Sequence, residues 1–423
     1  MTRVPIRLDG PSLVDGYRAI VGAEPIRLLE GLARRLRGRR VVMVSSTATG
    51  GGVAEILHRL VRLMNELGIP TVWEVMPGDA RFYEITKTIH NALHGQPSTL
   101  DEADRRHFLE VNRRAAGALA LDGDLVMVHD PQPVALAGLR RRPGQVWVWR
   151  CHIDLSVADP SVWGLLAPHV ERHDAAVFSH AAFVPGLAIP SFLVPPSIDP
   201  LSDKNRELAP DEEDGLLARF DLPGRRPWVT QVSRFDRLKD PLGVLEAFSM
   251  MRRRETAHLV LAGGSADDDP EGAAVLREVR ERAGDRNDVS ILDLPPDAHL
   301  TINALQRGSA VVLQKSLREG FALTVSEALW KRRAVVASAV GGIPLQILHE
   351  RTGMLVRSIE GCAYQMTRLL RAPDLRARLG RAGHEHVLRN FLHPREAADY
   401  LAIFARFDGE VRAIAGVGSS TAC

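Results

Sequence analysis

Two glutamates separated by seven residues form the strongest chemical signal in this 423-residue chain. Glu319 lies in a loop after the apolar run Ala310–Leu313, and Glu327 lies about one turn into the predicted helix that follows. A carboxylate accepts two hydroxyl hydrogens at once, which suits a sugar or a ribose. Gly320 permits close backbone approach, and the amides of Phe321–Thr324 can point at a phosphate. Taken alone, the pattern fits an ordinary helix-capping glutamate equally well.

A pair of cations follows a second predicted strand. Arg234 and Lys239 come after the apolar run Trp228–Val232 and just before a predicted helix. A guanidinium offers a planar fork of donors and an ammonium offers a point charge, so together they can offset a diphosphate. The alternative is a surface loop in which both cations pair with Asp236 and Asp240.

A glycine-rich segment, Thr49–Glu55, follows the run Val41–Val44 and opens a predicted helix. Glycines let a ligand approach the backbone closely, and a helix N-terminus favours an anion. A dinucleotide-binding redox domain is the rival, because Gly50 and Gly52 with Glu74 loosely imitate its fingerprint. A glutamate stands where that fingerprint needs its third small residue, which argues against NAD.

One histidine stands at the end of a strand in the first half of the chain. His152 lies in the segment Arg150–Ser156, directly after the run Val146–Trp149. An uncharged imidazole can hydrogen-bond a sugar hydroxyl. A structural histidine satisfied by the backbone is the other interpretation.

Metal binding is not expected. Asp122 and Asp124 have the D-x-D spacing of metal-dependent glycosyltransferases, but they precede a strand, and Asp-Gly is a standard turn. Asp267–Asp269 is interpreted as a solvated loop. The three cysteines form no C-x-x-C pair, and no H-E-x-x-H motif occurs.

The charge balance and the hydropathy of the chain restrict its partners and its location. Lys plus Arg is 54 and Asp plus Glu is 52, giving a net charge of +2. This balance gives no reason to expect nucleic acid or an anionic membrane as a partner. The first residues lack an apolar signal core, and no stretch is apolar for long enough to span a bilayer. We therefore expect a cytoplasmic protein.

Short β-rich apolar runs alternate with longer helical patterns throughout the chain. Continuous apolar strands followed by helices predict parallel sheets buried on both faces, with right-handed crossovers. The runs are Val41–Val44, Thr71–Val75, Leu125–Val128, Val146–Trp149, Ala175–Phe178, Trp228–Val232, His258–Leu261, Val289–Leu292, Ala310–Leu313 and Ala334–Ala337. Because the pattern occurs twice, we predict an α/β protein of two doubly wound domains.

Three prolines within Val194–Pro200 place the boundary between these domains. We predict an N-terminal acceptor domain over residues 1–195 and a C-terminal donor domain over 196–393. A helix over 394–415 would follow and could cross back to the first domain, and 416–423 would form a disordered tail. Ligands bind at the carboxyl ends of strands in such sheets, so we expect the two domains to face a deep cleft.

Together these motifs resemble the retaining glycosyltransferases built from two Rossmann-like domains (GT-B type), a group that includes glycogen and sucrose synthases. The chain is similar in particular to the trehalose glycosyltransferring synthases, in ordered blocks from about residue 15 to 405. These blocks are Ile20–Gly22, Gly50–Leu57, Trp73–Val75, Thr86–Lys87, His90–Leu93, Arg150–Ser156 and Arg318–Lys331. Ala322 departs from the pattern, because the wider group usually has a second glycine there.

The resemblance implies a role for each matching residue. Arg234 and Lys239 would stabilise the leaving nucleoside diphosphate, Glu319 would hold the transferred glucose, and His152 would contact that glucose. Glu327 would accept hydrogen bonds from the ribose. Further donor contacts are implied at Gly51, Gly52, Gly320, Phe321, Ala322, Leu323, Thr324 and Leu294, and acceptor contacts at Trp73, Glu74 and Asp154.

The implied activity is transfer of glucose from UDP-glucose or ADP-glucose to free glucose, which forms trehalose reversibly, without a metal. A trehalose phosphorylase of the same fold and a glycosyltransferase with another acceptor are the alternatives, as is a non-catalytic nucleotide-sugar binding module. The presence of both glutamates and both cations speaks against the last. The nucleobase, the preferred direction and the oligomeric state are open, and a homodimer is one candidate assembly.

Overall fold

The computed structural model describes residues 2–49, 51–224, 227–264 and 270–419. The chain divides into two compact units. Unit 1 comprises Met1–Pro196 together with His393–Cys423, and unit 2 comprises Ser197–Leu392. The chain thus leaves unit 1 once and returns to it after unit 2 is complete.

Unit 1 contains a six-stranded sheet of order β2-β1-β3-β4-β5-β6, in which every pair is parallel. β1, β3 and β4 are buried along their whole length, because helices cover both faces of the sheet and continuous apolar sequence is required there. The strands are β1 Val41–Ser45, β2 Thr71–Val75, β3 Leu125–His129, β4 Val146–Arg150, β5 Ala175–Phe178 and β6 Ser191–Leu193.

The helices of unit 1 follow the crossover pattern of a doubly wound fold. They are α1 Leu13–Val21, α2 Ala23–Arg35, α3 Gly51–Glu66, α4 Ala80–Leu93, α5 Glu102–Ala118, α6 Leu136–Arg140 and α7 Pro160–Val170. The last helix of the chain, α16 His393–Ser419, also belongs to this unit and packs on α2.

Unit 2 contains a second parallel six-stranded sheet of order β12-β11-β10-β7-β8-β9. Its strands are β7 Trp228–Val232, β8 His258–Gly263, β9 Val289–Asp293, β10 Val311–Gln314, β11 Ala334–Ser338 and β12 Met354–Val356. Its helices are α8 Pro210–Leu217, α9 Pro241–Arg252, α10 Pro270–Ala283, α11 His299–Gly308, α12 Leu323–Trp330, α13 Ile343–Gln346, α14 Ile359–Arg371 and α15 Pro373–Asn390.

The predicted fold class is confirmed: both sheets are parallel and all ten predicted runs are strands. β6 and β12 were not predicted, because three-residue edge strands are too short to give a recognisable pattern. The last helix is longer than predicted and continues to Ser419, so residues 416–419 are helical rather than a disordered tail. Residues 420–423 lie outside the described residues.

Among the described residues, no helix is both long enough and apolar enough to cross a membrane.

Candidate active site

The site in unit 2 is built at the carboxyl ends of two neighbouring parallel strands. β7 and β10 pair with Gln231 beside Leu313, so the loops that follow them start side by side. The backbone amide of Lys315 donates to Gln231 Oε1 at 3.0 Å, which joins the two loops. This arrangement brings together the two predicted motifs, and Lys239 Nζ donates to Glu319 Oε2 at 2.6 Å.

Among the described residues, contacts to Glu319 are made through one of its two oxygens. Its Oε2 accepts from Lys239, from Ser316 Oγ at 3.1 Å and from Gln314 Nε2 at 3.5 Å. No hydrogen bond to Oε1 is made by the described residues. With 10% of its side-chain surface exposed, Glu319 is a fixed carboxylate that keeps one acceptor oxygen for a ligand hydroxyl.

Arg234 is an accessible cation of the site, with 54% of its side chain exposed. Its only ion pair in the described residues is a weak one, 3.7 Å from Asp236, so its guanidinium can turn towards an anion. The Lys239 end of the loop is fixed more firmly, because Gln231 Nε2 donates to the Lys239 carbonyl at 2.9 Å. Asp240 adopts a left-handed conformation and caps α9.

Two glycine pairs that the sequence reasoning missed allow these loops to pack closely. A Cβ on Gly341 would lie 1.6 Å from the Glu319 carbonyl oxygen, and one on Gly263 would lie 1.8 Å from the Ser233 carbonyl oxygen. Neither position can therefore carry a side chain without moving the loop of Glu319 or of Arg234. The available signal was that a Gly-Gly pair occurs at the end of β8 and another shortly after β11.

Glu327 lies on α12 and is almost fully buried, with 2% of its side chain exposed. Its Oε2 makes no hydrogen bond with the described residues, and its Oε1 lies 3.7 Å from Lys204 Nζ. The neighbouring Lys331 donates to the Glu327 carbonyl at 3.2 Å, and burial lowers the pKa of this lysine to about 7. A buried carboxylate oxygen without a partner is costly, and a ligand hydroxyl would satisfy it.

The segment between the glutamates forms the turn into α12. Ala322 is the residue before the helix and has a left-handed backbone with φ of 67°. Glycine adopts this conformation without strain, which fits the second glycine that the resemblance led us to expect at this place. The remaining predicted donor residues lie around the turn: Gly320 accepts from the Gly342 amide at 3.0 Å, Phe321 accepts from Gln346, Thr324 donates to Gln314 Oε1 at 2.8 Å, and Leu323 begins α12.

Leu294 follows β9 and is held by a hydrogen bond from its amide to the Gly263 carbonyl at 2.8 Å. Its own carbonyl oxygen would lie 2.5 Å from a Cβ on Gly264. Leu294 is thus placed beside the glycine pair of β8 in unit 2.

In unit 1, His152 stands at the carboxyl end of β4 next to a second histidine, His129, at the end of β3. His152 Nε2 lies 3.1 Å from His129 Nδ1, and the rings stack at 5.5 Å. Burial and the nearby Arg150 lower the pKa of both, that of His129 to about 3. Burial raises the pKa of the adjacent Asp130 to about 6. His129 and Asp130 were missed, although they stand together at a strand end.

The predicted acceptor residues are largely committed to the protein itself. Trp73 is fully buried and donates its indole N–H to Ser45 Oγ at 2.8 Å. Glu74 is buried and pairs with Arg3 at 2.7 Å, while its Oε2 makes no hydrogen bond in the described residues. Asp154 is buried and accepts from the Ser156 amide at 2.9 Å. Their acceptor role stays a prediction, and Trp73 offers no surface for it.

The glycine-rich segment opens α3 as expected. Gly51 has a φ of 79° and space for a Cβ around it, and Gly52 lies in the first turn. Gly50 lies outside the described residues. The predicted donor role of Gly51 and Gly52 is untested.

Asp122 and Asp124 both pair with arginines at the amino end of β3. Asp122 lies 2.8 Å from Arg142, and Asp124 lies 3.2 Å from Arg39. Asp267–Asp269 lie outside the described residues. Within the part of the chain that the structure describes, no cluster of three potential metal ligands occurs.

Both units of the chain are similar to known proteins. Residues 43–185 match the family model described as trehalose synthase, N-terminal domain, and residues 216–386 match the model for glycosyl transferases group 1. Sucrose-phosphate synthase from Thermosynechococcus elongatus has the same fold, with a TM-score of 0.69 at 18% identity over 88% of this chain and 100% of that one. The molecule is therefore a glycosyltransferase with the two-domain GT-B fold.

Similar sequences identify the family within this class. A trehalose synthase of Rubrobacter xylanophilus is 43% identical over 411 residues, which cover 95% of this chain and 98% of the relative. A trehalose phosphorylase of Pleurotus pulmonarius is more distant, at 30% identity over 81% of this chain and 54% of its own length. The chain belongs to the trehalose synthase family.

Proposed function

We propose that this trehalose-related glycosyltransferase transfers glucose from a nucleoside-diphosphate glucose, UDP-glucose or ADP-glucose, to free glucose. The product is trehalose, the anomeric configuration is retained, and the reaction is reversible. The observation that carries this proposal is the pairing of Glu319 with Lys239 beside the accessible Arg234. The pair supplies an acceptor oxygen for a sugar hydroxyl next to cations for a diphosphate.

The chemistry requires stabilisation of the leaving group more than a protein nucleophile. The acceptor hydroxyl oxygen forms the new bond to the anomeric carbon as the bond from that carbon to the diphosphate oxygen breaks. The hydroxyl proton passes to the departing phosphate oxygen, so the nucleoside diphosphate leaves on the same face. Arg234 and Lys239 would stabilise the charge that develops on that oxygen.

Glu327 would hold the ribose of the donor. Its buried Oε2 lacks a partner in the described residues, and a ribose hydroxyl would supply one. Unlike the glucose, the ribose is remote from the reacting bond. The contact would therefore contribute to donor binding in the ground state and in the transition state alike.

The remaining assignments belong to the same proposal. His152 would donate to or accept from a hydroxyl of the transferred glucose. No metal is proposed, because the two cations and the helix N-termini would meet the phosphate charge. A cytoplasmic location and a homodimer stay predictions.

The test is to incubate the protein with UDP-glucose, ADP-glucose or GDP-glucose, each with and without glucose, and to identify the disaccharide. Trehalose formed only with both a donor and glucose supports the proposal. EDTA should leave the rate nearly intact. A product other than trehalose would refute the acceptor assignment. A large loss of activity with EDTA that Mg²⁺ or Mn²⁺ restores would refute the metal-free chemistry.

Trehalose phosphorylase activity is the second candidate, and the similarity to the Pleurotus enzyme favours its inclusion. The two activities differ in what breaks trehalose down. Breakdown that needs a nucleoside diphosphate supports the synthase, whereas breakdown that needs inorganic phosphate supports the phosphorylase.

A further inference from the structure

Two stacked histidines at the ends of β3 and β4 share one proton between facing nitrogens. His129 Nδ1 and His152 Nε2 lie 3.1 Å apart, and the ring planes are inclined by only 16°. Because burial and Arg150 disfavour a charge on either ring, both are neutral and each carries a single N–H. One nitrogen of the facing pair therefore donates and the other accepts, which leaves two possible arrangements.

The second nitrogen of His129 decides between them. His129 Nε2 is buried and has no hydrogen-bond partner in the described residues. If His152 donated, the proton of His129 would lie on this nitrogen as a buried N–H without an acceptor. If His129 donates, the same nitrogen is a bare lone pair. Orphaned N–H groups are rarer in protein interiors than under-satisfied acceptors, so donation by His129 Nδ1 is favoured.

The strand ends hold the two rings in this relation. The His152 amide donates to Asp130 Oδ1 at 2.8 Å, and the Asp130 amide donates to the Arg150 carbonyl at 2.8 Å. Trp149 Nε1 donates to the Asp130 carbonyl at 2.9 Å. Asp130 itself has a φ of 65°, a strained value for a residue other than glycine. These three hydrogen bonds fix the turn at Asp130, and the turn places the imidazole of His152 beside that of His129.

We propose that His129 is a positioning residue for glucosyl transfer, which keeps the proton of His152 on Nδ1 and so presents His152 as a neutral donor to a sugar hydroxyl oxygen. The role in transfer rests on the proposed function, whereas the tautomer is a property of unit 1 by itself. His152 retains accessible surface while His129 is buried, so only the former can reach a ligand. His152 Nδ1 makes no hydrogen bond to the described residues and can be satisfied by that hydroxyl.

The tautomer can be measured without any activity. In the ¹⁵N-histidine-labelled full chain, subtraction of the spectrum of His152→Gln identifies the nitrogens of His152. We expect a protonated Nδ1 and a bare Nε2 at neutral pH, and a mixture of tautomers in His129→Phe, which keeps a ring but has no donor. A protonated Nε2 on His152 in the unmodified protein would overturn the proposal.

Kinetics then test the role in transfer. His129→Phe should lower kcat about 5- to 100-fold, the size expected for loss of one well-placed hydrogen bond, without changing nucleoside-diphosphate affinity. His129→Asn places an amide N–H close to the position of imidazole Nδ1 and should recover most of that loss. Wild-type kcat in folded His129→Phe, or equal damage in both variants, would contradict a positioning role.

His173→Asn is the matched control. His173 is another buried histidine of unit 1, whose Nδ1 donates to the Val170 carbonyl at 3.0 Å, and it lies outside the candidate site. This variant should keep wild-type kcat and leave the His152 signals unchanged. If no donor sugar supports transfer by any variant, the proposed function fails, and the NMR result still decides whether His129 sets the tautomer.

Discussion

At the scale of single residues, the two glutamates differ in what the protein leaves for a ligand. Glu319 is tied through Oε2 to Lys239 and keeps Oε1 for a hydroxyl, whereas Glu327 has a buried Oε2 without a partner among the described residues. A glucose contact tightens as the ring flattens in the transition state, but a ribose contact is the same before and during reaction. Substitutions of the two carboxylates should therefore affect different kinetic parameters.

Replacing each glutamate by glutamine tests this difference. Glu319→Gln should mainly lower kcat, while Glu327→Gln should mainly raise the KM for the donor, each by an amount equivalent to about 1–3 kcal/mol. Calorimetry should show weaker nucleoside-diphosphate binding for the Glu327 variant only. The reverse pattern would mean that the two roles are exchanged.

Arg234 should stabilise the negative charge that develops on the leaving diphosphate in the transition state, whereas its neighbour Arg237 should not. Arg234→Ala removes a charge-assisted contact of about 2–4 kcal/mol, so kcat should fall roughly 30- to 1000-fold. Arg237 is slightly more exposed but pairs with Glu278 at 3.2 Å, and Arg237→Ala should leave turnover near wild type. Comparable losses in both variants would indicate a general effect of charge on the loop.

Residue types and spacing were enough to predict Glu319, Glu327, Arg234, Lys239 and His152 as site residues, because charged and polar side chains at strand ends are visible in a sequence. The partner of His152 was not found, because nothing in one sequence says that β3 and β4 are neighbours in the sheet. Trp73 was placed among the acceptor contacts by the resemblance alone. The pleat of β2 turns its side chain into the core, which the resemblance did not indicate, and the acceptor role stays a prediction.

At the scale of elements, the turn after β11 controls the position of the Glu319 loop. Gly341 has a φ of 55°, and a Cβ there would overlap the Glu319 carbonyl oxygen. Gly341→Ala should displace Glu319 and lower kcat by at least about 10-fold. Gly361 on α14 is the control, because its Cβ would meet Ser358 Oγ at 3.5 Å and the Val356 side chain at 3.7 Å, which are ordinary contacts. Wild-type activity in Gly341→Ala would show that the loop can move without cost.

The turn between α7 and β5 should make unit 1 sensitive to acid. Burial lowers the pKa of His173 to about 4, against about 6.5 when the chain is unfolded. The unfolded chain therefore binds a proton that the folded chain excludes, and stability falls as the pH drops from 6.5 towards 4. Between pH 7 and 5.5 this histidine should account for about 1 kcal/mol. In urea unfolding, the free energy of unfolding of His173→Asn should fall correspondingly less over that pH interval. A fall equal to that of the wild type would show that His173 is not its source.

At the scale of the whole molecule, the last helix returns the chain to unit 1 after unit 2 is complete. α16 packs on α2, and its residues Tyr400, Leu401 and Phe404 are fully buried. Arg39 pairs with Asp408 at 2.6 Å along the same helix. The amphipathic pattern predicted this helix, but it did not predict which residues of unit 1 the helix contacts. Its central contact is a buried arginine 250 positions earlier in the sequence, and no local pattern reports such a pairing.

The contact between Arg150 and Tyr400 predicts which part of the molecule loses stability when α16 is altered. Arg150 is fully buried, its Nε donates to Tyr400 Oη at 3.0 Å, and Tyr400 Oη donates to Glu396 Oε1 at 3.0 Å. Tyr400→Phe leaves a buried charged donor without its acceptor, which should lower the stability of unit 1 by about 1–3 kcal/mol. Hydrogen exchange should quicken at the amides of β4 and α16, and those of β7 and β10 in unit 2 should not change. Tyr364→Phe, at an exposed tyrosine of unit 2, is the control and should alter neither set. Exchange that quickens equally in both units would show that the helix stabilises the entire chain rather than the unit to which it returns.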